Sequence, residues 1–157
     1  MTCFSEINTN KKLTTAHHID VVEIFDSVSG LNFYFPDTPL YQRSKTGDLN
    51  SYSFTYSEPG ISYIIVIEKT KTPDKVEESL RRSFNDVLDN RSVVLEKNYE
   101  VLPLPHLKGL IHGRYELFVH FQSFYYKDFL ILQMITNLGS KKEKETVESF
   151  FSTINNL

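Results

Sequence analysis

Cysteine is almost missing from this chain: Cys3 is the only one in 157 residues. No intramolecular disulfide can form, and no thiolate cluster can hold zinc or iron, which fits a reducing compartment without requiring one. Basic excess is missing too, since 17 Lys and Arg stand against 20 Asp and Glu for a net charge of −3. Such a balance supplies no stripe of cations to neutralise phosphates, so nucleic acid is not an expected partner. No apolar run approaches the roughly 20 residues that cross a bilayer, so no membrane span is expected. The first thirty residues hold no apolar run of signal-peptide length, and Cys3 comes too early for a lipoprotein cysteine, so a cytoplasmic protein is expected. G-x-S-x-G, H-E-x-x-H, P-loop and G-x-G-x-x-G patterns are all absent, and six glycines leave little material for a phosphate cradle. The expectation is a chain that is not an enzyme and carries no cofactor.

What remains is ordinary for a globular domain, with 40% hydrophobic and 24% charged residues and no long Pro, Gly or Ser tract. The length suits one core. Residues 1 to 18 are polar and lack any period, which reads as a flexible N-terminal tail before a single domain at 19–157. Val21 to Phe25 and Leu31 to Phe35 are β-branched or aromatic runs around a turn-rich segment, and so predict a hairpin ended by Pro36 and Pro39. Tyr52, Phe54 and Tyr56 alternate with Ser51, Ser53 and Thr55, the period of a half-buried strand. Ile61 to Lys69 is apolar on both faces and predicts a strand near the sheet centre.

Thr72 as N-cap, Pro73 at the first helical position and Asp74 in the first turn predict a helix whose stripe is Val76, Leu80, Phe84, Val87 and Leu88. Ser92 to Leu102 reads as strand, ended by Pro103 and Pro105. From Lys108 the chain reads as extended almost without interruption to Tyr126, turning at Lys127-Asp128 and returning through Phe129 to Ile135. Ser140 and Glu143 form a capping-box pattern before a last helix carrying Val147, Phe150, Phe151 and Ile154. Hairpins outnumber crossovers, which implies an α+β domain with a central antiparallel sheet packed by two main helices.

The segment from Gly30 to Pro39, Gly-Leu-Asn-Phe-Tyr-Phe-Pro-Asp-Thr-Pro, resembles the strand entry of PsbP-like domains. The helix from Pro73, the segment from Gly109 to Leu117, the apolar return strand and the helix with Phe150-Phe151 follow in that family's order, over about residues 19 to 157. The resemblance implies an α/β/α sandwich and a binding or assembly role. Members of the group serve as subunits of photosynthetic complexes, as a Ran-binding factor and as adaptor chaperones for secreted toxins, without a shared catalytic triad.

Candidate sites follow from two residue classes. His17-His18 with Asp20 could offer metal ligands, but adjacent residues on a tail rarely converge on one ion, and no metal site is expected. On one regular strand, His112, Arg114, Glu116, Phe118 and His120 would share a face, with His112 and His120 roughly 26 Å apart at about 3.3 Å per residue. That spacing excludes an acid–base dyad within the strand and favours a polar sheet face. Twelve Phe and nine Tyr are the second class. Phe118, Phe124, Tyr125 and Tyr126 near the tip of the long hairpin, with Tyr52 and Tyr56 on an earlier strand, fit either sheet packing or a partner-binding patch. The expected function is a non-catalytic protein-binding or assembly module, contacting another protein or a second copy of itself through the hairpin from Gly109 to Ile135. The alternatives are an adaptor chaperone for a secreted client and a small-ligand protein with a pocket lined by Arg114, Glu116 and His120.

Overall fold

The computed structural model describes residues 10–13, 20–43, 50–139 and 144–157. In chain order the elements are β1 (Asn10–Leu13), β2 (Asp20–Asp26), β3 (Leu31–Phe35), β4 (Leu40–Arg43), β5 (Ser51–Glu58), β6 (Ile61–Lys69), α1 (Val76–Val87), β7 (Val93–Glu100), β8 (His106–His112), β9 (Leu117–Tyr126), β10 (Phe129–Leu138) and α2 (Lys144–Phe150), which runs into a 3-10 turn at Phe151–Asn156. The seven-stranded sheet has the order β4-β5-β6-β10-β9-β8-β7, with every neighbour antiparallel, and β1-β2-β3 form a separate sheet.

The expected sandwich of one sheet between two main helices is overturned, because the protein is mostly β. The hairpin β2-β3 does form, but it packs onto the large sheet instead of joining it. Val22, Ile24, Leu31, Phe33 and Phe35 are all buried in a core shared with Phe54, Tyr63, Ile65 and Ile131 of the large sheet. The alternation that announces these strands specifies a buried face and not the hydrogen-bonded neighbour, so two sheets and one sheet look alike in sequence. Seven residues of the second helix, α2, are described, beginning at the edge of the described residues. Ser140 and Glu143 fall outside them.

Two cores lie on opposite faces of the large sheet. The first holds β2, β3 and the C-terminal segment, with Phe150 edge-on to Phe35 and Tyr63 at 5.5 Å each. Two buried glutamines fasten that segment. Gln122 Nε2 donates to Gln133 Oε1 at 2.8 Å and to the Phe151 carbonyl at 3.1 Å, and Gln133 Nε2 donates to the Phe150 carbonyl at 3.3 Å. Side chains from β9 and β10 thus bond the backbone carbonyls where α2 passes into the 3-10 turn.

The second core is α1 on β8 and β9, where Leu80 and Phe84 meet Leu107, Ile111, Val119 and Phe121. Phe84 lies edge-on to Phe121 at 5.3 Å and covers Gly109, where any Cβ would overlap its ring. The helix begins later than its N-cap signal predicts. Thr72 Oγ1 donates to the Lys127 carbonyl at 2.9 Å, so it anchors the β9-β10 turn instead of capping, and Lys75 holds the cap position with no side-chain cap bond. Within the stretch read as a tail, residues 10–13 are strand and pair with β2. The rest of residues 1 to 18 lies outside the described residues.

Candidate functional site

The largest local correction falls on the run from Lys108 to Tyr126, which is two strands. Arg114–Glu116 form a turn, with Gly113 donating to the Leu117 carbonyl at 2.7 Å, and β9 returns beside β8. Tyr115 and Glu116 both take positive φ, 56° and 57°, a conformation that bulky residues seldom adopt and that residue type therefore does not announce. The spacing argument for a single strand fails with it. His112 and Phe118 face each other across the pair, their rings stacked 4.5 Å apart at 2°, and His112 Nε2 lies 3.3 Å from Glu116 Oε2. A His–Glu pair thus exists where the extended reading excluded one. Gly113 in the middle of a 19-residue extended run was the available signal, since strands rarely exceed about 10 residues.

The other candidate residues are dispersed. Arg114 Nη2 donates to Asn90 Oδ1 at 2.7 Å and its Nε lies 3.5 Å from Asp89, while His120 on β9 sits between Leu110 and Ile135. Arg114, Glu116 and His120 therefore do not converge on one pocket. Phe124 is fully buried, and Tyr126 packs half-buried against the same core. Tyr125 points to the opposite face, where its hydroxyl and Ser79 Oγ are 2.6 Å apart, tying β9 to α1. Tyr52 is buried and donates to Asp26, with its hydroxyl pKa raised by burial and then by that carboxylate. Tyr56 donates to Glu58 Oε1 at 2.9 Å on β5. The aromatic hairpin is the middle of the sheet, and its rings are largely occupied with packing. His17 and His18 lie outside the described residues, and so does Cys3.

Among the described residues one long strand has a hydrogen-bonded neighbour on one side only. Among the described residues β4 and β7 are the outer strands of the large sheet. A sheet edge offers a row of unpaired N–H and C=O groups, and natural edges are blunted by being short, bulged or charged. Four residues of β4 are described. β7 has eight, and its register slips once, between Val94 and Glu96, leaving Glu96 to Glu100 in regular pairing with β8. Val93, Val94 and Leu95 stand 41–56% exposed beside that bulge, and Val101 and Leu102 are 62% and 79% exposed at the other end.

A cleft of about 750 Å³ lies between α1 and Tyr99 of this strand, and its walls include Val76, Glu78, Arg82 and Asn85. Lys97 is only partly exposed. Its Nζ bonds Asn85 Oδ1 at 3.2 Å and lies 5.0 Å over the Phe84 ring, so it braces the edge strand against the helix. On the opposite face Glu96, Asn98 and Glu100 stand in a row, as their partners Leu110, Lys108 and His106 require.

His106 was not singled out in the sequence. It is buried, donates Nδ1–H to the Leu104 carbonyl at 2.8 Å, and places Nε2 3.4 Å from Glu100 Oε2. Nothing in a lone His before a strand signals this pairing, which register alone creates.

No protein-family model matches the chain, and no curated protein is significantly similar to it. No helix among the described residues is long and apolar enough to cross a membrane. Function must be argued from the site.

Proposed function

We propose that this protein is a non-catalytic protein-binding module that captures an extended peptide segment of its partner as an added strand on β7. The observation that carries the reading is the eight-residue edge strand, with Val93, Val94 and Leu95 exposed at one end and Tyr99 in the wall of a cleft beside α1 towards the other. Strand addition uses main-chain hydrogen bonds for affinity and pockets for alternate side chains for specificity. β7 supplies the first through its outer edge, unpaired among the described residues, and the second through the cleft at Tyr99. This places the contact on the outer edge of the sheet, one strand beyond the hairpin that the aromatic pattern favoured.

The helix supports the edge strand from behind. Gly109 admits the Phe84 ring onto β8, and Lys97 fixes β7 to Asn85, so the cleft walls are held before any peptide arrives. A preformed groove reduces the ordering cost of binding.

The test is binding of extended synthetic peptides, followed by fluorescence polarisation, with backbone N-methylation of alternate residues in two phases. An added strand donates to β7 from every second residue only. One phase of N-methylation is expected to abolish binding and the other to leave it nearly intact. Equal tolerance of both phases would refute strand addition.

A further inference from the structure

The charge of β7 specifies the class of peptide. Glu96, Asn98 and Glu100 lie on the face away from α1, opposite Leu110, Lys108 and His106. Glu96 is exposed and its carboxylate forms no ion pair among the described residues, and Glu100 keeps 51% of its side chain exposed although one oxygen is 3.4 Å from His106. Lys108 is a cation on this face, one strand inward and opposite Asn98. On the α1 face Tyr99 lines the cleft, and Lys97 is turned inward onto Phe84 and Asn85.

An added antiparallel strand puts one side chain directly opposite each β7 residue, on the same face. Its residues opposite Glu100 and Glu96 are four apart and meet carboxylates. The residue next to the first of them turns to the other face and meets Tyr99. Building on the strand-addition reading, we infer that β7 selects extended segments carrying two cationic residues four positions apart, with an apolar residue directly after the first. The antiparallel direction follows the rest of the sheet and is the slightly more stable ladder.

The experiment compares two peptides with identical uncharged flanks, one containing Lys-Val-Ser-Thr-Lys and the other Glu-Val-Ser-Thr-Glu. The basic peptide is expected to bind about tenfold more tightly, as two cross-strand charge pairs allow, and the ratio should shrink in high salt. Changing Glu96→Lys and Glu100→Lys together should invert the preference. The isosteric pair Glu96→Gln and Glu100→Gln should bring the ratio to one, and thermal melting of that milder variant shows that the fold is kept. If both peptides bind equally or the acidic one binds better, the charge rule is overturned while capture at β7 stands. If neither binds at millimolar concentration, capture at β7 falls as well.

Discussion

Tyr52 of β5 donates its phenolic hydrogen to the carboxylate of Asp26, which is fully buried at the end of β2 and also accepts from Ser29 Oγ at 2.6 Å and Ser29 N–H at 3.2 Å. One carboxylate thereby closes the β2-β3 turn and fastens the small sheet to the large one. A buried acceptor left short of a donor carries its desolvation cost uncompensated, so Tyr52→Phe is expected to lower stability by about 1–3 kcal/mol. Urea unfolding measures it, and a loss below about 0.5 kcal/mol would contradict the account of this bond.

The same hydroxyl shapes the alkaline limit. Burial raises the Tyr52 pKa, with further help from the hydrogen bond and the negative charge of Asp26, and burial pushes Tyr63 from 10.0 up to about 12. In both cases the neutral phenol is favoured in the folded state. Each contribution is therefore complete below the unfolded value near 10 and is lost as pH rises through the folded value, about 12 for Tyr63 and higher for Tyr52. Ultraviolet titration should show these phenolates appearing late and together with loss of structure. All nine tyrosines ionising near pH 10 with the fold intact would be the opposite result.

Gly109 carries the seating of α1. A methyl group there would overlap Phe84, so Gly109→Ala is expected to cost about 1–3 kcal/mol, as overpacking does. Adding Phe84→Leu should recover part of it, because the overlapping ring atoms go. Additive losses in the double variant would show that the two positions do not meet.

The turn at Tyr115 and Glu116 holds two positive-φ residues, and Tyr115 is 87% exposed. Tight hairpin turns of this hand favour Asn-Gly, and a left-handed conformation costs ordinary residues roughly 1–2 kcal/mol. Replacing Tyr115→Asn and Glu116→Gly together should raise the melting temperature. The lost Glu116–His112 pair subtracts little because Glu116 is 72% exposed. A lowered melting temperature would mean that Tyr115 or Glu116 contributes contacts beyond those described.

Much of the fold was legible wherever a local period decided it. Tyr52, Phe54 and Tyr56 mark β5, Pro36 ends β3 at Phe35, Lys127-Asp128 turns β9 into β10, and the stripe through Leu80 and Phe84 marks α1. What local pattern could not supply was pairing between distant segments. The separation of β2-β3 from the large sheet, the His106–Glu100 pair and the outermost place of β7 all depend on register, which no single segment encodes. The candidate site was missed for the same reason. Aromatic residues drew the expectation to Phe124, Tyr125 and Tyr126, whereas the free edge is defined by the absence of a neighbour beyond Val93–Glu100 among the described residues.

Amide hydrogen exchange with and without the Lys-Val-Ser-Thr-Lys peptide tests the central claim most directly, since a strand added to β7 must protect backbone amides along it. Slowed exchange confined to alternate amides of Glu96–Glu100, with β4 unchanged, is the expected result. Unchanged exchange along β7 while the peptide is bound, or protection centred on another element, would contradict capture at this edge.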